Sequence, residues 1–363
     1  MSADLFGPFR LGELTLANRM VMAPMTRNRA DADGVVPSAM VVHYGQRASA
    51  GLIVSESVPV SAQGVGYPFT PGVYTDAQAA SWRRVTDLVH AGQGRMFAQL
   101  QHCGRVSHPS LQPGGALPVA PSPVRPDGQA VTYAGMQDFV TPWPLDIEEI
   151  PAIVAQFRDA AQQAKRAGFD GIEVHAGNGY LIDQFLRDGT NHRTDSYGGS
   201  AGNRMRLLNE ILDAVCTVWP ARRVGVRLTP ENGFNSMSDS DPQRHFEYIA
   251  DQLNPRGLAY LHVLEGDMTT TARTVDYHAL RAAFAGTYIA NNGYDLERAQ
   301  HAIRAGHADL VAFGTPFVAN PDLVRRYREG LPLALPDRDT FYTGGDTGYI
   351  DYPFHPYEEA LSA

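Results

Sequence analysis

The sequence predicts an α/β fold, a (β/α)8 TIM barrel that forms a single domain over residues 1–363. Eight short apolar segments alternate with amphipathic ones, which indicates a parallel sheet covered by helices, and eight such units close into a barrel. Three amphipathic segments end at a glycine just before an apolar segment, at Gly168, Gly257 and Gly306. No Gly-x-Gly-x-x-Gly motif follows the first strand, which disfavours a doubly wound sheet.

Turn residues and hydrophobic periodicity place the elements in order. Residues 9–18 alternate around Gly12 and predict an N-terminal hairpin. Thr75 and Gln78 have the spacing of a capping box, which starts a helix that runs to about Gly92. The barrel strands are expected at 20–26, 51–57, 95–100, 171–175, 224–228, 258–263, 287–291 and 310–314. Further helices are expected at 37–50, 146–167 and 204–218, and from Asp241, Asp276, Asp295 and Asn320 onward.

Residues 101–145 interrupt this alternation after the third strand. They contain eight prolines, too many for a regular helix or an inner strand. A long irregular segment inside a compact domain is more often functional than accidental. We therefore expect an irregular, lid-like insertion here.

Composition excludes several classes of partner. The net charge is -9 and the pI is near 5.7, whereas nucleic acids and anionic membranes attract a basic surface. We find no signal-peptide pattern and no membrane-length apolar run. The cysteines, Cys103 and Cys216, are too few for a disulfide framework or a sulfur-ligated metal. The sequence therefore predicts a soluble, cytoplasmic protein without a metal centre.

The stretch from Gly171 to Tyr180 predicts a reactive site at the end of the fourth strand. If the chain enters a helical turn after His175, the spacing of three residues brings His175 and Asn178 to the same side. Two neutral donors suit a carbonyl or phenolate oxygen, and the phenol of Tyr180 suits proton delivery to a neighbouring carbon. The alternative is structural: His175 caps the strand, Asn178 shapes a turn and Tyr180 packs.

Other polar residues fall at predicted strand ends, where (β/α)8 enzymes carry their chemistry. Arg227 lies within an apolar strand, where an arginine is costly unless an anion meets it. That anion could belong to a ligand, or to Glu173 or Glu56 in a buried ion pair. The glycine-bearing ends of the last two strands, around Gly293 and Gly314, are a weak indication of a phosphate site. The polar strand-end positions are Thr26, Ser57, Gln99, His175 and Arg227.

At this point several motifs together resemble the Old Yellow Enzyme family of flavoprotein ene-reductases, in its classical branch. The resemblance extends in order from about Leu5 to Pro353. The motifs are Ala23-Pro-Met-Thr26, Gln99-Leu-Gln-His-Cys-Gly-Arg105, His175-Ala-Gly-Asn-Gly-Tyr180, Asn191-His-Arg-Thr-Asp-Ser-Tyr-Gly-Gly199, Ala312-Phe-Gly314 and Asn320-Pro-Asp-Leu323.

The resemblance implies that FMN lies across the barrel mouth. Arg227 would then sit near N1 and the C2 oxygen of the flavin, where a positive charge stabilises the reduced ring. His175 and Asn178 would bind the carbonyl of the substrate, and Tyr180 would protonate its α-carbon after hydride transfer from flavin N5. The implied FMN-binding residues are Pro24, Met25, Thr26, Ser57, Gln99, Arg227, Asn292, Gly293, Gly314 and Thr315. Tyr67, Gln101 and Tyr349 are implied as pocket walls.

Three features depart from the family pattern. Thr315 stands where the family usually has an arginine, so a charged phosphate partner is missing and weaker FMN binding is expected. Gln101 stands where a tryptophan is common, which is expected to change the substrate range. The 101–145 insertion is also shorter than is usual in close relatives.

These observations predict an FMN-dependent oxidoreductase that uses NADPH or NADH to reduce activated C=C bonds, such as α,β-unsaturated carbonyls and nitroalkenes. The partner is expected to be a small molecule and the assembly a monomer or a homodimer. Two alternatives remain: a flavin-binding barrel with altered or lost turnover, and a barrel lyase or isomerase without flavin. The second would want a lysine or a metal cluster at the strand ends, and none is evident.

Overall fold

The strands form one closed barrel and three small accessory sheets. The structure is a computed structural model that describes residues 3–270 and 272–356. The strands are β1 (Phe9–Leu11), β2 (Leu14–Leu16), β3 (Met20–Met22), β4 (Leu52–Pro59), β5 (Met96–Gln101), β6 (Val119–Ala120), β7 (Gln129–Thr132), β8 (Gly135–Asp138), β9 (Trp143–Pro144), β10 (Gly171–His175), β11 (Val224–Leu228), β12 (Tyr260–Leu264), β13 (Tyr288–Asn291) and β14 (Leu310–Phe313). The barrel order is β3-β4-β5-β10-β11-β12-β13-β14, with every neighbouring pair parallel.

Helices connect the barrel strands, as the alternation predicts. They are α1 (Ser38–Gln46), α2 (Asp76–Ala91), α3 (Ile150–Arg166), α4 (Leu181–Leu186), α5 (Ala201–Arg204), α6 (Arg206–Cys216), α7 (Pro242–Leu253), α8 (Tyr277–Ala283), α9 (Leu296–Ala305), α10 (Thr315–Ala319) and α11 (Leu323–Glu329). The (β/α)8 prediction is confirmed. The capping box is present, because Thr75 accepts from the backbone N–H of Gln78 while the Gln78 side chain accepts from that of Thr75.

Some boundaries differ from the prediction for local reasons. The first barrel strand ends at Met22, because the chain leaves the sheet before Pro24. The helix predicted at 204–218 is divided into α5 and α6 around Met205. The helix expected from Asn320 begins at Leu323, and α10 was not predicted.

The insertion is more regular than expected. Within 101–145, β7 and β8 pair as an antiparallel hairpin and β6 pairs with β9. These strands have two to four residues, too short for a clear hydrophobic period among the prolines. Along β7, Ala130 and Thr132 are buried while Gln129 and Val131 are exposed, so the buried face does not follow residue hydrophobicity and the sequence carried no signal for this strand.

The barrel interior is apolar at one end and polar at the other. The β1–β2 hairpin packs Leu11, Leu14 and Leu16 against the interior side chains Leu52 and Tyr260 and so closes the amino end of the barrel. Polar side chains line the carboxyl end and form the layer described below. No helix in the described part of the chain is long and apolar enough to cross a membrane.

Candidate active site

A layer of hydrogen-bonded polar side chains crosses the carboxyl end of the barrel. Ser57 on β4 donates to Gln99 Oε1 on β5. Gln99 Nε2 donates to Glu173 Oε1 on β10 at 2.7 Å. The β4–β5 and β5–β10 registers place these residues opposite one another. Two predicted strand-end residues, Ser57 and Gln99, therefore belong to one buried network.

The same network continues through Arg227 on β11. His262 Nδ1 on β12 donates to Glu173 Oε2 at 2.8 Å. Arg227 Nη1 donates to His262 Nε2 at 2.8 Å, and Arg227 Nη2 donates to Asn291 Oδ1 on β13 at 3.0 Å. Asn291 Nδ2 in turn donates to the carbonyl of Ala312 on β14 at 2.9 Å.

Arg227 therefore meets a carboxylate only through an intermediary. His262 separates it from Glu173, while Glu56 accepts from the Tyr44 hydroxyl instead. Burial lowers the pKa of Arg227, yet a guanidinium stays protonated in proteins. Its buried Nε has no hydrogen-bond partner among the described residues. The arginine is thus a fixed cation with a free donor at the barrel mouth.

His175 lies beside Arg227 and is electrically neutral. The two residues are partners in the β10–β11 register. Burial, followed by the nearby charge of Arg227, lowers the pKa of His175 to about 3. Its buried Nδ1 has no hydrogen-bond partner among the described residues. A neutral imidazole of this kind can donate one hydrogen bond to a carbonyl oxygen without delivering a full charge.

The backbone conformation that places Asn178 at the barrel mouth differs from the one predicted. The expected helical turn is wrong: Asn178 and Gly179 have φ values of +55° and +76°, and the N–H of Tyr180 donates to the carbonyl of Gly177. The Asn-Gly pair is itself a signature of such a left-handed turn. Asn232 Nδ2 donates to Asn178 Oδ1 at 2.9 Å, so the Nδ2 group of Asn178 is left for other acceptors.

Tyr180 lies beside His175 and contacts a second phenol, that of Tyr67. Its hydroxyl donates to Tyr67 Oη at 3.3 Å, and its ring lies edge-on to His175 with centroids 5.2 Å apart. Burial raises the pKa of Tyr180 well above its ordinary value and also raises that of Tyr67. Both hydroxyls are therefore protonated at neutral pH.

The other two implied wall residues lie in different surroundings. Gln101 Nε2 donates to Cys103 Sγ at 2.9 Å, and its buried Oε1 has no partner among the described residues. Tyr349 is fully buried and stacks on His43 with centroids 4.0 Å apart. The structure instead places Tyr342, 68% exposed, near enough to Tyr67 and Tyr180 to raise the pKa of both.

The remaining implied cofactor residues lie at the ends of β3, β13 and β14. Pro24, Met25 and Thr26 are half-buried. A Cβ added at Gly314 would lie 3.4 Å from Met25 Sδ, so these two loops adjoin. Asn292 and Gly293 both have positive φ, which turns their loop sharply after β13. Thr315 is exposed at the start of α10.

Sequence reasoning missed His262, Asn232 and Tyr342 at this site. His262 had a signal similar to that of Arg227, because it is a polar residue inside an apolar strand. Asn232 and Tyr342 lie in loops, whose paths carry no periodic signal.

The donor set fits FMN. Free donors on Arg227 and His175 suit the carbonyl and nitrogen edge of a flavin or the oxygen of a substrate. The loops that follow the neighbouring strands β13 and β14 carry backbone N–H groups of the kind that suits a phosphate. Together, the fold and the site define a (β/α)8-barrel oxidoreductase with a mouth suited to a flavin.

Comparison with known proteins identifies the family. Residues 4–334 match the NADH:flavin oxidoreductase / NADH oxidase family, and the chain belongs to it. It is 45% identical over 352 residues to a probable flavin mononucleotide-dependent alkene reductase of Leishmania infantum, covering 96% of each chain.

Superposition on solved structures supports the same family assignment. The chain superposes on morphinone reductase with a TM-score of 0.94 at 47% identity, covering 98% of this chain and 97% of that one. It superposes equally well, at 0.94 and 41% identity, on an old yellow enzyme homologue from Zymomonas mobilis, covering 96% of this chain and 99% of that one. The resemblance to the Old Yellow Enzyme family is confirmed.

Proposed function

We propose that this protein is an FMN-dependent reductase of activated alkenes that consumes NADPH or NADH and works as a single FMN-binding domain. The observation that carries the proposal is the convergence of neutral His175, Asn178 and Tyr180 beside the cationic Arg227. Its relative from Leishmania infantum is described as an alkene reductase that depends on flavin mononucleotide, and morphinone reductase has been solved in complex with tetrahydroNAD.

When bound, FMN would supply the hydride-transfer chemistry between the nicotinamide and the alkene. The residues that would hold its ring are Pro24, Met25, Thr26, Ser57, Gln99 and Arg227. Those that would hold its phosphate are Asn292, Gly293, Gly314 and Thr315.

His175 and Asn178 bind and polarise the carbonyl or nitro oxygen of the substrate. Asn232 holds Oδ1 of Asn178, so the amide presents its N–H groups. Two donors on this oxygen stabilise the negative charge that develops there as hydride reaches the β-carbon, which is the type of interaction that accelerates such a step.

Tyr180 then delivers a proton to the α-carbon. Its raised pKa means that the phenol carries its proton until a strong carbon base forms beside it. Tyr67 and Gln101 form walls of the pocket. Tyr349 was the third expected wall residue; its buried position against His43 makes Tyr342 the better candidate for that wall.

The substrate is a small activated alkene. We also propose that the protein is cytoplasmic and works as a monomer or homodimer without binding nucleic acid or membranes. The -9 net charge supports the last point. A lyase or isomerase without flavin is set aside, because the chain belongs to a flavin oxidoreductase family.

The visible spectrum and turnover of the purified protein test this function. We expect flavin absorption bands, release of FMN rather than FAD on heating, and oxidation of NADPH or NADH that depends on an added enone such as 2-cyclohexenone. A colourless protein that does not take up added FMN would refute the assignment. A yellow protein without enone-dependent oxidation would show a flavin-binding module instead.

A further inference from the structure

His262 is a buried histidine that the proposed reaction does not use. It lies on β12 opposite Arg227 of β11 in the strand register. Its side chain is fully buried and forms 2.8 Å hydrogen bonds with Glu173 on one side and Arg227 on the other. The imidazole therefore stands between a buried carboxylate and a buried guanidinium.

The two hydrogen bonds of His262 are those expected of a neutral imidazole ring. Burial, together with the charge of Arg227, lowers the pKa of His262. A neutral imidazole that donates from Nδ1 to Glu173 accepts at Nε2, where the Arg227 guanidinium donates. Glu173 and Arg227 thus keep their opposite charges without touching each other.

Direct contact between these two charges would change the barrel mouth. In a buried environment a guanidinium and a carboxylate attract strongly and favour a two-pronged ion pair. Such a pair would turn Arg227 toward Glu173 and offset its positive charge. In the structure Arg227 is held instead by His262 and, at 3.0 Å, by Asn291, with its Nε unpartnered next to His175.

We propose that His262 is a positioning residue that holds Arg227 off Glu173, so that the positive charge of Arg227 is available to FMN at the barrel mouth. The inference rests on the proposed FMN site. A fixed cation beside the flavin favours its reduced, more negative form over the oxidised form. His262 therefore sets the reduction potential of bound FMN without contacting it.

The test measures the reduction potential of bound FMN in four proteins: the wild-type holoenzyme, His262→Ala, His262→Gln, and the double variant His262→Ala with Glu173→Gln. In His262→Ala, Arg227 can pair with Glu173, and we expect the preference for reduced over oxidised FMN to fall on the order of tenfold. A tenfold change corresponds to about 30 mV for a two-electron couple. His262→Gln should stay near the wild-type potential, because the glutamine amide can also accept from Arg227 and donate to Glu173.

The double variant separates positioning from general damage. With Glu173→Gln no carboxylate remains for Arg227 to pair with, so the potential should recover relative to His262→Ala alone. A purely structural role of His262 predicts no recovery, since the double variant restores neither of the two buried hydrogen bonds that His262 forms. His245→Gln is the matched control, because His245 is also a buried histidine bonded to a carboxylate, Asp239, at 2.8 Å, but lies outside the barrel layer.

The measured potentials decide whether His262 positions Arg227. An unchanged potential in His262→Ala, or no recovery in the double variant, overturns the inference. If His262→Ala does not yield folded holoenzyme, His262→Leu, with a volume closer to that of histidine, poses the same question. If wild-type protein binds no FMN, the proposed function fails and not the role of His262.

Discussion

At the scale of single residues, the proposed reaction would depend on side chains that burial keeps uncharged, next to an arginine that stays charged. His175 has a pKa of about 3 and Tyr180 a pKa far above neutrality, so near pH 7 the first is a neutral donor and the second a protonated phenol. Arg227 supplies the fixed charge. The roles of binding the oxygen and moving the proton can therefore be separated by substitution.

Replacing Tyr180 by phenylalanine should affect one half-reaction only. Transfer of hydride from NADPH to FMN needs no proton at a substrate carbon, so it should proceed at nearly the normal rate. Reduction of an enone needs that proton, and loss of a positioned general acid typically slows such a step by roughly 10²–10⁴-fold. The penalty should shrink with nitroalkenes, whose nitronate anions are stable enough to leave unprotonated. Stopped-flow measurement of both half-reactions checks this.

Tyr197→Phe serves as the control, because Tyr197 is buried and bonds Glu210 instead. Both of its half-reactions should be normal. If Tyr180→Phe slows flavin reduction as much as enone reduction, Tyr180 is a packing residue and the proton donor lies elsewhere.

Removing the two neutral donors should abolish binding of phenols over the oxidised flavin. The variant is His175→Ala with Asn178→Gly, glycine being chosen because residue 178 has a φ of +55°, which strains alanine. The long-wavelength charge-transfer band seen on phenol titration should disappear while FMN remains bound. Retention of the full band would remove both residues from the substrate site.

At the scale of elements, two short loops after β13 and β14 form the proposed phosphate end of the site. Thr315 supplies no charge there and is exposed at the start of α10. A cation that contacts the first loop is Arg298 on α9, whose Nη1 already donates to the carbonyl of Gly293 at 3.0 Å. In the proposed site, backbone N–H groups would therefore provide most of the phosphate contacts.

Thr315→Arg should tighten FMN binding. A charge-assisted hydrogen bond to phosphate is worth roughly 1.5–3 kcal/mol, and the gain should weaken as salt is added because the site is exposed. The measurement is FMN dissociation by fluorescence, with Thr315→Gln as the uncharged control of similar reach. FMN retention in the arginine variant that is no better than wild type would mean that the backbone donors already saturate the phosphate.

At the scale of the whole molecule, burial of several neutral histidines links stability to pH. His102 and His175 each have a pKa lowered to about 3 by burial, and the pKa values of His43 and His262 are also lowered. Burial raises the pKa of Glu56 to about 7 and also raises the pKa of Asp183, and these two acids act in the opposite sense.

We expect stability to be greatest above pH 6.5 and to fall steadily below it. Between pH 6.5 and about 3 the unfolded chain binds protons that folded His102 and His175 do not, so each of these two contributes a loss approaching about 1.4 kcal/mol per pH unit. The lowered pKa values of His43 and His262 act in the same direction. Urea unfolding of the holoenzyme at pH 7.5, 6 and 5 measures the slope. His102→Asn should make the slope shallower; an equal slope in that variant would mean that His102 is not buried in its neutral form.

The sequence alone determined the class of fold and most element positions, because these depend on local signals. Alternating apolar segments located all eight barrel strands, and the capping box predicted at Thr75 is present. The helices expected from Asp241 and Asp295 begin there, and both side chains accept a hydrogen bond from a backbone N–H of their helix. The motif from His175 to Tyr180 located the site, although its Asn-Gly turn was assigned the wrong geometry.

Only the tertiary structure decided which polar groups meet. Glu173 and His262 are separated by 89 residues, and their contact depends on the registers of three strands, in which a shift of one residue would turn each side chain to the other face. The path of the C-terminal segment decided that Tyr349 packs on His43. Local preferences act over a few residues, whereas strand register and loop closure, which build this site, arise from packing of the whole barrel.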